Sequence, residues 1–192
     1  MVVAKSQPRK GVYTENMLNY DPNTKQQIYI GPVIGLDSNA QHAVVDILNN
    51  TLANEALLTI KVRSAHWNVS GPGFLELHVL YKTQFKQLNT IADDIAERAC
   101  TLGGLPTGSF KGFLRNSRLE EQPGVVPNIM DLLAGHEASI RFLGEDAKKC
   151  FEQYADKSTG DFLVNIQQLH VKMAGFLRAH IEPQHNPATK EI

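Results

Sequence analysis

The chain is predicted to be all-α: four long helices in one bundle, with a long crossover joining the second helix to the third. Three observations predict this. Apolar residues recur at spacings of three and four along four separate stretches. Gly, Pro and small polar residues cluster between those stretches. The three linkers are short, long and short, and the long one must travel the length of a bundle. A chain of 192 residues is long enough to bury a core without staples, and its formal net charge of -1 offers no global basic field for nucleic acid.

Residues 1–38 read as an extended or partly disordered arm, punctuated by Pro8, Gly11, Pro22, Gly31, Pro32 and Gly35. The arm is mildly basic, with Lys5, Arg9, Lys10 and Lys25 against Glu15 and Asp21. Its opening lacks the apolar run of a secretory signal, and no later run is long enough to span a membrane, so the expectation is a cytoplasmic protein. The bundle is assigned to 39–182 and a polar tail to 183–192.

The first helix runs from about 39 to 67. Asp37, Ser38 and Asn39 supply N-cap candidates, and Val44, Ile47, Leu48, Leu52, Ala56, Thr59 and Ile60 form an apolar stripe. Ser70-Gly71-Pro72-Gly73 ends it. The second helix starts near Phe74, carries Leu77, Tyr81, Phe85, Leu88, Ile91, Ile95 and Leu102, and closes at Gly103-Gly104. Residues 105–126 form the irregular crossover, with a short helix between Ser109 and Ser117. The third long helix follows Pro127 and continues to about 156. Ser158-Thr159-Gly160-Asp161 is the next break. The last helix carries Phe162, Ile166, Leu169, Met173, Phe176, Leu177 and Ile181 and stops before Pro183. Short linkers make antiparallel neighbours, and the long one lets the third helix run parallel to the second, which is ferritin-like connectivity. Cys100 and Cys150 have no redox or zinc-binding spacing and read as buried free thiols.

Chemistry-bearing residues concentrate between Lys61 and Gly104. A di-iron bundle needs Glu and Glu-x-x-His motifs projecting into its own core. The one Glu-x-x-His string here, Glu182-Pro183-Gln184-His185, contains a proline and lies past the last helix. What remains is His66, His78, Asp93 and Glu97. Asp93 and Glu97 are four apart and share one helix face, and His66 and His78 flank a tight turn. Imidazole with carboxylate suits iron, zinc or manganese. Two plainer readings stand beside this: an Asp/Glu pair can be a solvated face, and a His near a helix end can be a cap or a packed ring. Along one helix His78 stands about 22 Å from Asp93 and about 28 Å from Glu97 at ~1.5 Å per residue. If the four bind one metal centre, the histidines come from one subunit and the carboxylates from another, paired about a two-fold axis.

Ala65-His66-Trp67-Asn68-Val69 with Gly71-Pro72, Phe74 and His78, Asp93-Asp94-Ile95-Ala96-Glu97-Arg98, and Leu102-Gly103-Gly104 with Pro106 and Gly108-Ser109 together resemble the signature of the Dps family, the DNA-binding proteins from starved cells. The resemblance implies a four-helix subunit assembled as a hollow twelve-subunit shell. It implies oxidation of Fe(II), preferably by hydrogen peroxide, at centres between subunits, with ferric mineral stored in the cavity. It assigns His66 and His78 of one subunit, and Asp93 and Glu97 of its two-fold mate, to that centre. Trp67 resembles the family tryptophan near the centre, and packing at the dimer interface is the equal alternative.

One departure stands out. Family members often carry an acid four positions after the second His, where this chain has Lys82. A protonated ammonium cannot ligate a cation and repels it. That raises the alternative of a zinc or single-iron shell, or a sequence-independent DNA-protecting protein, with weak iron oxidation. The resemblance also places an acidic pore near the last interhelical turn, where Glu152, Asp156 and Asp161 stand; capping and surface solvation are the plainer roles for these residues. DNA contact would fall to the basic arm and to Lys190 of the tail, multiplied by avidity in a shell near the nucleoid.

Overall fold

The computed structural model of the protein describes residues 32 and 34–182. Most of the predicted arm, the tail with Lys190, and Pro183 and His185 of the Glu-x-x-His string lie outside the described residues. The elements are α1 (Ser38–Asn68), α2 (Phe74–Thr101), α3 (Phe110–Asn116), α4 (Ile129–Glu152) and α5 (Lys157–Ile181). Among the described residues no helix is long and apolar enough to cross a membrane.

Side chains that take up orphan N–H groups start most of these helices. Asp37 accepts from the Ala40 amide at 2.9 Å, and Ser109 accepts from the Gly112 amide at 3.1 Å. Asn128 and Asp131 form a reciprocal capping box on α4. α2 is the exception. Its N-cap is Gly73, with φ 73, and no side chain caps it. Gly71, with φ 85, also takes the left-handed region, and together they reverse the chain within five residues of α1. That reversal sets His78 against His66.

The α4–α5 break lies earlier than the sequence places it. α4 stops at Glu152 rather than near 156, and Ser158, Thr159 and Gly160 already belong to α5. The deciding residue is Asp156, whose carboxylate accepts from the Thr159 amide at 3.0 Å and the Thr159 hydroxyl at 2.5 Å. Arg98 of α2 approaches the same carboxylate at 3.6 Å. Gly160 lets the Phe151 ring close over the turn, because a Cβ there would meet the ring at 2.5 Å. A cap supported from another helix outcompetes the local signal of Ser158–Asp161.

α1 packs on α2, α4 packs on α5, and α1 also meets α3 and α4. Gln84 of α2 reaches the Met173 carbonyl of α5 at 3.0 Å. Fourteen residues further along α2, Arg98 reaches Thr159, fourteen residues back along α5. α2 and α5 therefore run antiparallel. The short α4–α5 turn makes α4 antiparallel to α5, and hence parallel to α2, as the long crossover requires. Two buried asparagines of α1 pin that crossover. Asn49 holds the Leu105 carbonyl at 3.1 Å and the Thr107 amide at 2.6 Å. Asn54 accepts from the Arg118 amide at 2.7 Å and the Ser117 hydroxyl at 3.1 Å. Arg118 then pairs with the buried Asp146 on α4.

Leu48, Leu58, Leu88, Ile95, Leu143 and Leu177 are among the fully buried core residues. Ile60, Leu169 and Phe176, assigned to the apolar stripes from spacing, face outward instead. In each case the adjacent residue, Thr59, His170 or Leu177, holds the inward position, since neighbours on a helix are rotated by about 100°. The same rotation separates the thiols. Cys150 is buried, but Cys100 is exposed, because Ala99 takes the inward slot. Burial, and then the carboxylates of Asp156 and Asp146, push the Cys150 thiol up to about 12.

Candidate metal centre

His66 lies in the last turn of α1, and His78 stands one turn into α2. Their ring centroids are 3.8 Å apart and their planes are tilted by 32°. Each ring bonds the other residue's backbone: His66 Nδ1 is 2.9 Å from the His78 carbonyl, and His78 Nδ1 is 3.2 Å from the His66 carbonyl. A carbonyl oxygen only accepts, so both Nδ1 atoms carry the proton. The lone pair of each neutral ring is then on Nε2, the arrangement a metal-binding histidine needs. Phe74 lies 5.1 Å from the His78 ring and Phe85 lies edge-on 5.3 Å from the His66 ring, so aromatic walls hold the pair. His66 is buried and His78 half-buried.

Asp93 and Glu97 are exposed on α2, an unbroken helix from Phe74 to Thr101. The rise along that helix keeps Asp93 about 22 Å from His78 within one chain. Among the described residues no group of three or more His, Cys, Asp or Glu side chains is placed to hold a metal. One copy of the chain brings the imidazoles together and leaves the carboxylates apart. Trp67 is 69% exposed beside the histidine pair, with Leu75 and Val79 also exposed on the adjoining turns of α2. Lys82 is exposed one turn after His78. Of the acids near the α4–α5 turn, Asp156 is buried in its cap, whereas Asp161 is exposed and Glu152 is exposed beside Lys148 at 3.9 Å.

A second polar cluster, inside the bundle, escaped sequence reasoning. Glu55 of α1, His136 of α4 and His170 of α5 are each 0% exposed. His136 Nδ1 is 3.0 Å from His170 Nδ1, and His170 Nε2 is 3.1 Å from Glu55 Oε1. Burial, and then the neighbouring His170, push His136 down to about 3, so its ring stays neutral. The signal was present: Glu55 follows Leu48 and Leu52 on their inward face, and His170 falls between Ile166 and Met173.

A family model described as a ferritin-like domain matches residues 45–183. A low temperature-induced protein of Nostoc, itself described as uncharacterized, is 38% identical over 79% of this chain and 87% of its own length. A DNA protection during starvation protein of Agrobacterium fabrum is 34% identical over 77% of this chain and 93% of its own. The crystal structure of a Dps protein from Vibrio cholerae superposes with a TM-score of 0.73 at 26% identity, covering 79% of this chain and 96% of the other. That protein is described as a member of a broad superfamily of ferritin-like diiron-carboxylate proteins.

Proposed function

From the premise that this chain belongs to the Dps family of ferritin-like proteins, we propose that it stores and detoxifies iron by oxidising Fe(II) at a centre shared between two subunits. The observation that carries this reading is the His66–His78 pair, with both Nδ1 atoms committed to carbonyls, which leaves the ring lone pairs on Nε2. Iron is the substrate. The two imidazoles offer nitrogen donors from one chain, and Asp93 and Glu97 of a second copy offer the carboxylates that the first copy cannot bring near. Exposed Trp67, Phe74, Leu75 and Val79 around the hairpin support a second copy packing there.

The oxidant in this proposal is hydrogen peroxide. Each Fe(II) gives up one electron and peroxide takes two, so two ferrous ions are consumed per peroxide and its O–O bond breaks to the level of water. The ferric product hydrolyses to mineral and releases protons. A twelve-subunit shell, a cytoplasmic location and cation passage past Asp161 and Glu152 belong to the same proposal. The test is ferrous oxidation followed by near-ultraviolet absorbance with peroxide and with dioxygen. His78→Ala is expected to slow the peroxide reaction at least tenfold, and an unchanged rate would remove the pair from the centre.

Lys82 favours a second reading. An ammonium one turn from His78 weakens any second metal position, leaving a shell that holds zinc or a single iron and oxidises little. DNA protection through the arm is a further outcome, read by mobility shift at low and moderate salt.

A further inference from the structure

The bundle interior holds several buried polar atoms that make no hydrogen bond among the described residues. Among the described residues, both carboxylate oxygens of Glu55, Nε2 of His136, Nε2 of His170 and the hydroxyls of Thr59 and Ser139 are buried and make no hydrogen bond, although His170 Nε2 stands 3.1 Å from Glu55 Oε1. Thr59 is one turn from Glu55 on α1, and Ser139 is one turn from His136 on α4. From α2, the amide of Gln84 is tied to the Met173 carbonyl, one turn from His170, and its Oε1 is also buried and unpartnered. All four long helices thus contribute an unsatisfied group to the interior. Natural interiors rarely leave such groups unpaired, and an unmodified carboxylate is the costliest of them to strand.

The geometry points to a cation site in the bundle core: we propose that Glu55 and His170 together bind one divalent transition metal ion of the zinc or ferrous class. His170 Nε2 and Glu55 Oε1 stand 3.1 Å apart, yet the ring N–H direction makes no hydrogen bond to that oxygen. A shared proton wants the two atoms in line. A metal wants them at an angle: bonds of about 2.1 Å to a nitrogen and an oxygen at that separation enclose roughly 95°, an ordinary angle between neighbouring ligands. With Nε2 on the metal, His170 Nδ1–H donates to His136 Nδ1 at 3.0 Å, so His136 positions the ligand ring. Glu55 Oε2 remains as a further oxygen donor and water would complete the coordination; the Thr59 and Ser139 hydroxyls and Gln84 Oε1 belong to the same buried interior. One imidazole, one carboxylate and water suit Zn(II), Fe(II) or Mn(II).

This site differs from a carboxylate-rich di-iron centre and uses none of the residues assigned to the shared one, so neither reading depends on the other. The test uses crystals of the full chain soaked in zinc chloride, with anomalous differences collected at the zinc edge. A peak bonded to His170 Nε2 and the Glu55 carboxylate is expected. In Glu55→Gln that peak should fall at least tenfold in occupancy while any zinc at His66 and His78 stays. In solution, Co(II) titration monitored by ligand-field absorption should lose one equivalent per chain in Glu55→Gln, an equivalent that Asp93→Asn keeps. An empty core in native crystals whose other histidines carry zinc would overturn the proposal, as would a core peak that Glu55→Gln leaves intact. If Glu55→Gln fails to assemble, the native soak decides alone.

Discussion

His66 and His78 each hydrogen-bond the other's main-chain carbonyl, at 2.9 and 3.2 Å, across a hairpin whose glycines take φ of 85 and 73. The His66 carbonyl belongs to the last turn of α1, where helix geometry leaves it without an amide partner. One pair of contacts therefore closes the helix end, locks the hairpin and commits both tautomers.

A shared centre makes a stoichiometric prediction. His78→Ala and Asp93→Asn should each abolish most peroxide-driven oxidation as pure shells. In a mixed shell assembled from equal amounts of both, half the two-fold pairs combine the variants, and one of the two sites in each such pair is intact. About a quarter of native activity should return if pairing is random. No recovery in a mixed shell verified by mass spectrometry would rule out sharing across the two-fold.

Lys82 gives a gain-of-function prediction. Lys82→Asp replaces a repelling ammonium with an oxygen donor one turn from His78. The initial rate of iron oxidation should rise several-fold, and calorimetry should find a second metal equivalent per site. Identical kinetics and stoichiometry would show that Lys82 does not limit the centre.

The two aspartates of the α4–α5 turn should separate cleanly. Asp156→Ala removes the α5 cap and strands Arg98, so stability should drop by about 1–2 kcal/mol. For a chain of this size that is a fall of very roughly 2–8 °C in thermal midpoint. Asp161 is exposed and lies inside α5, whose N-cap is Asp156. Asp161→Asn should leave the midpoint alone and slow iron uptake if it lines the cation path; equal uptake would exclude it.

Cys150 supplies a pH dependence. Its folded thiol is raised from 9.0 to about 12, so the folded state keeps a proton that the unfolded chain gives up. The resulting stability is complete below pH 9 and is lost as pH rises towards 12. Between pH 8 and 10.5 the urea midpoint of the native protein should fall more than that of Cys150→Ala. Parallel slopes would mean the thiol is not held protonated. Alkylating reagents should reach Cys150 only after denaturant is added.

The sequence by itself determined the four helical stretches, their short–long–short linkage, the short helix of the crossover and the His66–His78 hairpin. All of these are local matters of spacing, capping and glycine placement. It also determined that His78 and Asp93 cannot meet within one chain, because helical rise is a constant of the backbone. Only the tertiary structure decided what depends on a neighbour. Arg98 and Phe151 choose Asp156 over Asp161 for the last turn. Rotation by one residue turns Ile60, Leu169 and Cys100 outward and brings His170 in. Glu55, His136 and His170 lie on three helices, and no spacing along the chain reports that they touch. Their meeting is a product of helix packing, which places side chains far apart in sequence within 3.1 Å of one another.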